Sequence, residues 1–177
     1  MATLIVRSPQ RVAEWGARRA LERAGGTFLG WEGVVRQRGL VDCGPAALAT
    51  LLTLLGVGVP PLDSLAALAG TGPTGTRAGG LARAGSRLGV PLTPRHLDPD
   101  TPGAHPAPFI AWVRQSHFVV VAGVDDAGRI HVLDPQAGRF LVDGKAFRRM
   151  WSGEAVLSFP DPSSRPATAG RIHPPLF

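Results

Sequence analysis

Cys43 is the only cysteine in the sequence, and it stands where an apolar run, AALATLLTLLG, begins. A lone cysteine is most often a small buried hydrophobe, so its position has to carry any case for chemistry. Pro45 fits only the first turn of a helix, because further in its missing N–H would break an i→i−4 bond. The sulfur therefore belongs at a helix start, where unsatisfied backbone N–H groups and the helix dipole favour a thiolate. Asp42 works against that charge unless it caps the helix or pairs with an arginine. Gly44 leaves room for a substrate backbone to come close.

A nucleophilic thiol needs a base, and the base needs a group to orient it. Of the five histidines, His105 lies in TPGAHPAP and His173 in the tail, both expected in solvent. His96 ends a short strand without a clear partner. His117 opens the strand HFVVVAGV, and Asp134 closes the next one, RIHVLD. An even-length turn at VDDAGR places Asp134 opposite Val119. That makes it a diagonal neighbour of His117, roughly 7–8 Å away at the backbone and within side-chain reach. An odd loop breaks this register. His131 is expected on the opposite face, as an ordinary strand residue. Gln37, six residues before Cys43, offers an amide that can donate, with the Cys43 N–H, to a developing oxyanion.

The elements that must position these groups follow from pattern. Helices are expected at about 44–56, at 63–70 with Asp63 as N-cap, and at 77–88 ending at Gly89. Strands are expected near 91–96, 108–113, 117–124, 129–134 and 139–142, then a helix at 144–151 behind Asp143 and a closing strand, EAVLSF. Helices first and strands later argue for an α+β fold with the N-terminal helical half packed on an antiparallel sheet. The expected organisation is an extension at 1–32, a main domain at 33–159 and a Pro-rich tail at 160–177. In the extension, a short β-like TLIVR leads to a helix with Ser8 as N-cap and Pro9 at its first position. Gly25 and Gly26 end that helix, Glu14 and Arg18 form an i,i+4 pair, and its apolar face, mostly alanine methyls, docks weakly.

Composition narrows the function. A length of 177 residues suits one compact main domain. One cysteine allows no internal disulfide, and a zinc site would rest on His and carboxylates alone. The net charge of +6 is spread through an Arg-, Ala-, Gly- and Pro-rich chain with no basic run, which argues against nucleic acid. No signal peptide and no apolar span of 18 residues occurs, so a soluble cytoplasmic protein is expected. GTGPTGT at 70–76 lacks the lysine of a phosphate-binding loop and reads as a plain loop.

The segment Gln37-Arg-Gly-Leu-Val-Asp-Cys43-Gly-Pro-Ala-Ala resembles the nucleophile region of the bacteriocin-processing cysteine peptidases, family thirty-nine of the cysteine peptidases. The resemblance continues through GTRAGGLARAGSRLGV, PFIAWVRQSHFVVVAGV, IHVLDPQAG and FRRMWSGEAVLSF, covering about residues 33–159. It implies a papain-like fold and removal of leader peptides after a double glycine. It also implies Cys43 as nucleophile, His117 as general base, Asp134 as orienter and Gln37 as oxyanion donor, with no metal or cofactor. Many members are fused to an ABC transporter; spans and an ATP-binding loop are absent here. The expectation is either a free-standing peptidase domain or one that meets a separately encoded ABC transporter at the inner membrane face, with a leader-bearing peptide as substrate in both cases. Two other readings stay open: a papain-like acyltransferase or amidase, and a non-catalytic leader-binding module. Gly25–Gly26 resembles a cleavage site, but Arg23 stands at the fourth position before the cut, where family leaders are apolar. A helix C-cap is the expected role.

Overall fold

The computed structural model describes residues 9–158 of the chain. The expected strand TLIVR, the Ser8 cap and the Pro-rich tail lie outside them. The elements run α1 (Pro9–Arg23), β1 (Thr27–Gly30), α2 (Cys43–Leu54), α3 (Leu62–Ala69), α4 (Ala78–Arg87), β2 (Leu92–His96), β3 (Phe109–Val113), β4 (His117–Val124), β5 (Ile130–Asp134), β6 (Gly138–Val142), α5 (Gly144–Arg148) and β7 (Trp151–Ser158). The strands form a seven-stranded sheet in the order β1-β6-β5-β4-β3-β7-β2, with every pairing antiparallel. The α+β expectation holds.

Both faces of the sheet are covered, and this explains why HFVVVAGV reads as an unbroken apolar run. On one face, α2, α3 and α4 pack Leu48, Leu51, Leu65 and Leu81 against Ile110, Phe118, Val120, Leu133 and Val156. On the other, Phe109, Val119, Val121, Val132 and Phe140 meet Leu21 of α1 and Phe147 of α5. Neighbouring strand residues alternate between the two cores, as the period of two requires. Helix α2 is buried nearly all round, which is why it shows no polar face. Its buried Thr50 accepts a hydrogen bond from the Val35 N–H at 3.0 Å, so the incoming segment is tied to the helix that it precedes.

Several local expectations change. Asp63 is not the cap of α3; Pro61 holds that position, and Asp63 pairs with Arg38. Helix α5 is shorter than expected because Trp151 already pairs with Val113 across β7 and β3. Asp143 does cap it, accepting from the Ala146 N–H at 2.6 Å. Strand β1 was not expected at all: TFLG is short and lacks clear alternation, yet it pairs with β6 at the sheet edge. Helix α1 is anchored by Leu21, 1% exposed, and by the Arg18 guanidinium stacked 4.0 Å over Phe28. Arg18 turns to that ring instead of to Glu14, and Ala20 is exposed. The glycine pair closes α1 as a C-cap: Gly26 N–H donates to Leu21 O at 2.9 Å and Gly25 N–H to Glu22 O at 3.0 Å. Gly25 has a φ of 93°, which makes this a full Schellman motif.

Candidate active site

Cys43 is the first residue of α2 and is 6% exposed. The geometry expected of the β4–β5 hairpin is reached by an unexpected route. Val120 faces Leu133 and Val121 faces Val132, in the register that an even turn would produce. Nearer the turn, Gly123 faces His131 and Val124 faces Ile130, one residue off. The loop is odd, and Asp125 closes it by accepting from the Ala127 and Arg129 N–H groups. A bulge at Ala122 then absorbs the extra residue and restores the register before His117 and Asp134.

The result is a direct contact. His117 Nε2 lies 2.7 Å from Asp134 Oδ1, which leaves Nδ1 for Cys43, whose thiol and the imidazole act on each other electrostatically. Asp134 is 1% exposed, and its Oδ1 further accepts the N–H groups of Gln136 at 2.7 Å and Ala137 at 3.2 Å. Those two bonds hold the carboxylate still, so the imidazole is held too.

The electrostatics of the three groups are coupled. Burial alone would raise the Cys43 thiol, but the hydrogen bond and charge of His117, with the Phe118 and Gly44 N–H groups, hold it below its ordinary value. Burial opposes charge on His117, yet Asp134 and then Cys43 push it up to about 10. Asp134 is disfavoured by burial and is nonetheless held low by His117, the Gln136 N–H and the charge of Arg114. These directions favour the thiolate–imidazolium form of the pair over the neutral form, with a carboxylate behind it, so that charge alternates along the row. Asp42 does not cap α2 with its side chain; its charge helps to stabilise the Arg38 guanidinium.

Gln37 is 3% exposed. Its N–H donates to Pro135 O at 3.0 Å, so it is tied to the residue after Asp134. Its side-chain Nε2 spends one N–H on Gly39 O at 2.8 Å, and its Oε1 has no partner. The other histidines stand apart. His131 lies 3.5 Å from Arg139, and His96 is exposed at the end of β2. His105 is half-buried, contrary to expectation. It is hydrogen-bonded to Asp98 O at 2.8 Å and set edge-on to Trp151. Among the described residues, no group of three or more His, Cys, Asp or Glu is arranged to hold a metal.

Gly44 has a different reason from the one expected. A Cβ there would lie 2.6 Å from the Cβ and Oγ1 of Thr76, a buried residue of the 70–76 loop. The glycine lets that loop cross the start of α2. Gly44→Ala is therefore expected to destabilise the protein by about 1–3 kcal/mol, lowering Tm by about 2–4 °C per kcal/mol. An unchanged thermal melt would refute the steric account.

Beyond Thr76 opens a groove of about 750 Å³ between α4, the 70–76 loop and strands β2, β3 and β7. Its lining includes Trp112 and Phe118, whose ring centroids are 4.4 Å apart. Phe118 follows His117 directly, so the groove adjoins the candidate site. Arg77, Arg83 and Arg95 line it against a single carboxylate, Glu154. The pattern of strands and helices does not reveal this groove, because its walls come from segments far apart in sequence.

Comparison with known proteins places this architecture. The family model for the peptidase C39 family matches residues 31–163. An uncharacterised protein of Methanothermobacter marburgensis is 35% identical over 131 residues, 74% of this chain and 91% of that protein. The lactococcin transport/processing ATP-binding protein LcnC-like of Lactococcus lactis is 32% identical over 71% of this chain, which corresponds to 18% of that longer protein. Among solved structures, the peptidase domain of Streptococcus ComA, a bifunctional ABC transporter involved in quorum sensing, is similar with a TM-score of 0.64. Its identity is 26%, over 72% of this chain and 98% of that one. A double glycine motif protease from an AMS/PCAT transporter, in complex with the leader peptide, has the same fold, with a TM-score of 0.67 at 23% identity over 72% of this chain and 91% of that one.

Proposed function

The chain belongs to the peptidase C39 family, and from that premise we propose that it is a cysteine endopeptidase that removes leader peptides after a double glycine. The observation that carries this reading is the linked row Cys43–His117–Asp134. In the proposed reaction, the Cys43 thiolate attacks the scissile carbonyl, and the electron pair of the C=O moves onto oxygen. The Cys43 N–H and the free N–H of Gln37 Nε2 donate to that oxyanion. Collapse of the tetrahedral intermediate breaks the C–N bond as His117 hands its proton from Nδ1 to the leaving amine. Water then gives a proton to His117 and attacks the thioester; the acyl group leaves as a carboxylic acid and the thiolate returns. Asp134 holds the imidazole and balances its charge throughout, without taking the proton.

The groove beside Phe118 is the proposed seat of the leader. A helical leader segment with apolar residues on one face would bury them on Trp112, Phe118 and Val156, and the arginines of the rim favour acidic residues flanking that face. Arg83→Glu is then expected to raise KM for an acidic leader peptide by about two- to fivefold, the range set by exposed ion pairs, with kcat unchanged. A lowered kcat at constant KM would contradict this assignment. No helix among the described residues is long and apolar enough to cross a membrane. The proposed partner is an ABC transporter that exports the trimmed peptide, which sets the site of action at the cytoplasmic face of its membrane.

The test incubates the protein with precursor peptides carrying a double glycine and identifies products by mass spectrometry. A single cut directly after the glycine pair, absent in Cys43→Ala, is the expected result. Uncut precursors that nevertheless bind would support the leader-binding module, and transfer to an added amine instead of water would support the acyltransferase.

A further inference from the structure

The family match begins at residue 31, yet α1, upstream of it, reaches the candidate site. Gln10, in the first turn of α1, donates from Nε2 to the main-chain carbonyl of Gln37 at 2.6 Å. The N–H of Gln37 meanwhile donates to Pro135 O at 3.0 Å. Residue 37 is thus held through its N–H by the turn that carries Asp134, and through its carbonyl by α1.

The helix that supplies Gln10 is firmly seated. Leu21 is buried in the core beneath the sheet, and the Arg18 guanidinium stacks over Phe28 of β1. The Schellman closure leads straight into β1, which pairs with β6. In β6, Gly138 lies opposite Asp134. A Cβ on Gly138 would come within 2.7 Å of Gly30 O and the Phe28 ring, so the 27–30 segment presses on the same end of the sheet that carries the carboxylate. Residues 9–30 are built into the catalytic end of the fold.

We propose that Gln10 is a positioning residue for Gln37, and that the segment preceding the family domain is therefore part of the catalytic apparatus. This rests on Gln37 acting as the oxyanion donor. An oxyanion donor works only if it is already aimed when charge develops, and a displacement of about 1 Å can cost up to 100-fold in rate. Without the Gln10 bond, the carbonyl of residue 37 turns toward water and the side chain loses its fixed origin. The leader groove draws none of its lining from residues 9–43, so substrate binding is spared.

Gln10→Met keeps length and removes the donor; Gln10→Lys keeps an N–H donor of similar reach. Gln10→Met is expected to lower kcat about tenfold with KM for a double-glycine leader peptide and Tm unchanged, and Gln10→Lys to recover most of that loss. Unchanged kcat in Gln10→Met overturns the proposal. So does a parallel loss of kcat and Tm that Gln10→Lys does not recover, since that pattern means only that α1 has undocked. Side-chain amide NMR signals of Gln37 provide a readout independent of turnover, expected to shift and broaden in Gln10→Met. If the wild type cuts no leader peptide, the functional reading fails by itself. The positioning is then judged on those signals: a shift supports it, and identical spectra overturn it.

Discussion

Cys43→Ala is expected to abolish peptide cleavage, lowering kcat/KM by a factor on the order of 10⁵–10⁶, as loss of a nucleophile from a cooperating set does. The fold should survive. The sulfur sits at a site 6% exposed at the start of α2, and its removal leaves His117 paired with Asp134, so no buried charge is orphaned. The cost is about 1 kcal/mol, the loss of one partly buried hydrogen-bonded group. Cys43→Ser is expected to be almost as inactive, because a hydroxyl does not ionise at this site as a thiol does. Because Cys43 is the only cysteine, alkylation of the intact chain reports on this one sulfur. Its rate at neutral pH should exceed that of a free thiol, and labelling should track loss of activity one for one. Cleavage retained by the alanine variant would remove Cys43 from the mechanism.

Asp134→Asn is expected to slow turnover by about 10²–10⁴-fold, the range spanned by general-base catalysis and by loss of an orienting carboxylate. The change is close to isosteric. The amide oxygen can still accept from the Gln136 and Ala137 N–H groups, so the turn is kept and charge is what disappears. The direction of the pH effect follows from the coupling. Asp134 is the leading favourable influence that raises His117 to about 10 against the penalty of burial, so its neutralisation lowers that value. A less charged imidazole in turn stabilises the thiolate less, and the Cys43 thiol rises. The proposed reaction requires Cys43 deprotonated and His117 protonated. In the wild type that window runs from below the ordinary thiol value to about 10, with both limits belonging to the pair and not to either residue alone. In Asp134→Asn the acid limb moves up and the alkaline limb moves down. Alkylation of Cys43 across pH measures the first shift and the kcat profile measures both. Wild-type limbs in the variant would show that the carboxylate does not act on the pair.

Much of the candidate site is legible in the sequence because its signals are local. Pro45 and the unbroken apolar run fix Cys43 at a helix start, since a proline tolerates only the first turn. His117 and Asp134 stand at the ends of consecutive strands, and the period of two sets which residues share a face. Asp143 is recognisable as a cap from its neighbours alone. The register that joins His117 to Asp134 is different. It depends on an odd loop ordered by Asp125 and on a bulge at Ala122 that cancels it. Asp125, Gly128 and Gly123 mark a turn and a weak point in the strand, but they do not say that the one offsets the other. The even-turn argument reached the right pairing although its premise about the loop was wrong.

Strand β1 was invisible for a related reason. Four residues without alternation carry no periodic signal, and TFLG becomes a strand only because β6 offers it an edge. Gly44 could be read as small, but only the crossing of Thr76 says what it makes room for. The groove and the Gln10–Gln37 bond join segments distant along the chain. The sequence by itself determined which residues are candidates for the chemistry and which element each one stands on, because helix starts, caps and face alternation depend on near neighbours. Tertiary structure alone decided how those elements meet, because register, close approach and long-range hydrogen bonds are settled when separate segments compete for the same buried space and the same backbone partners.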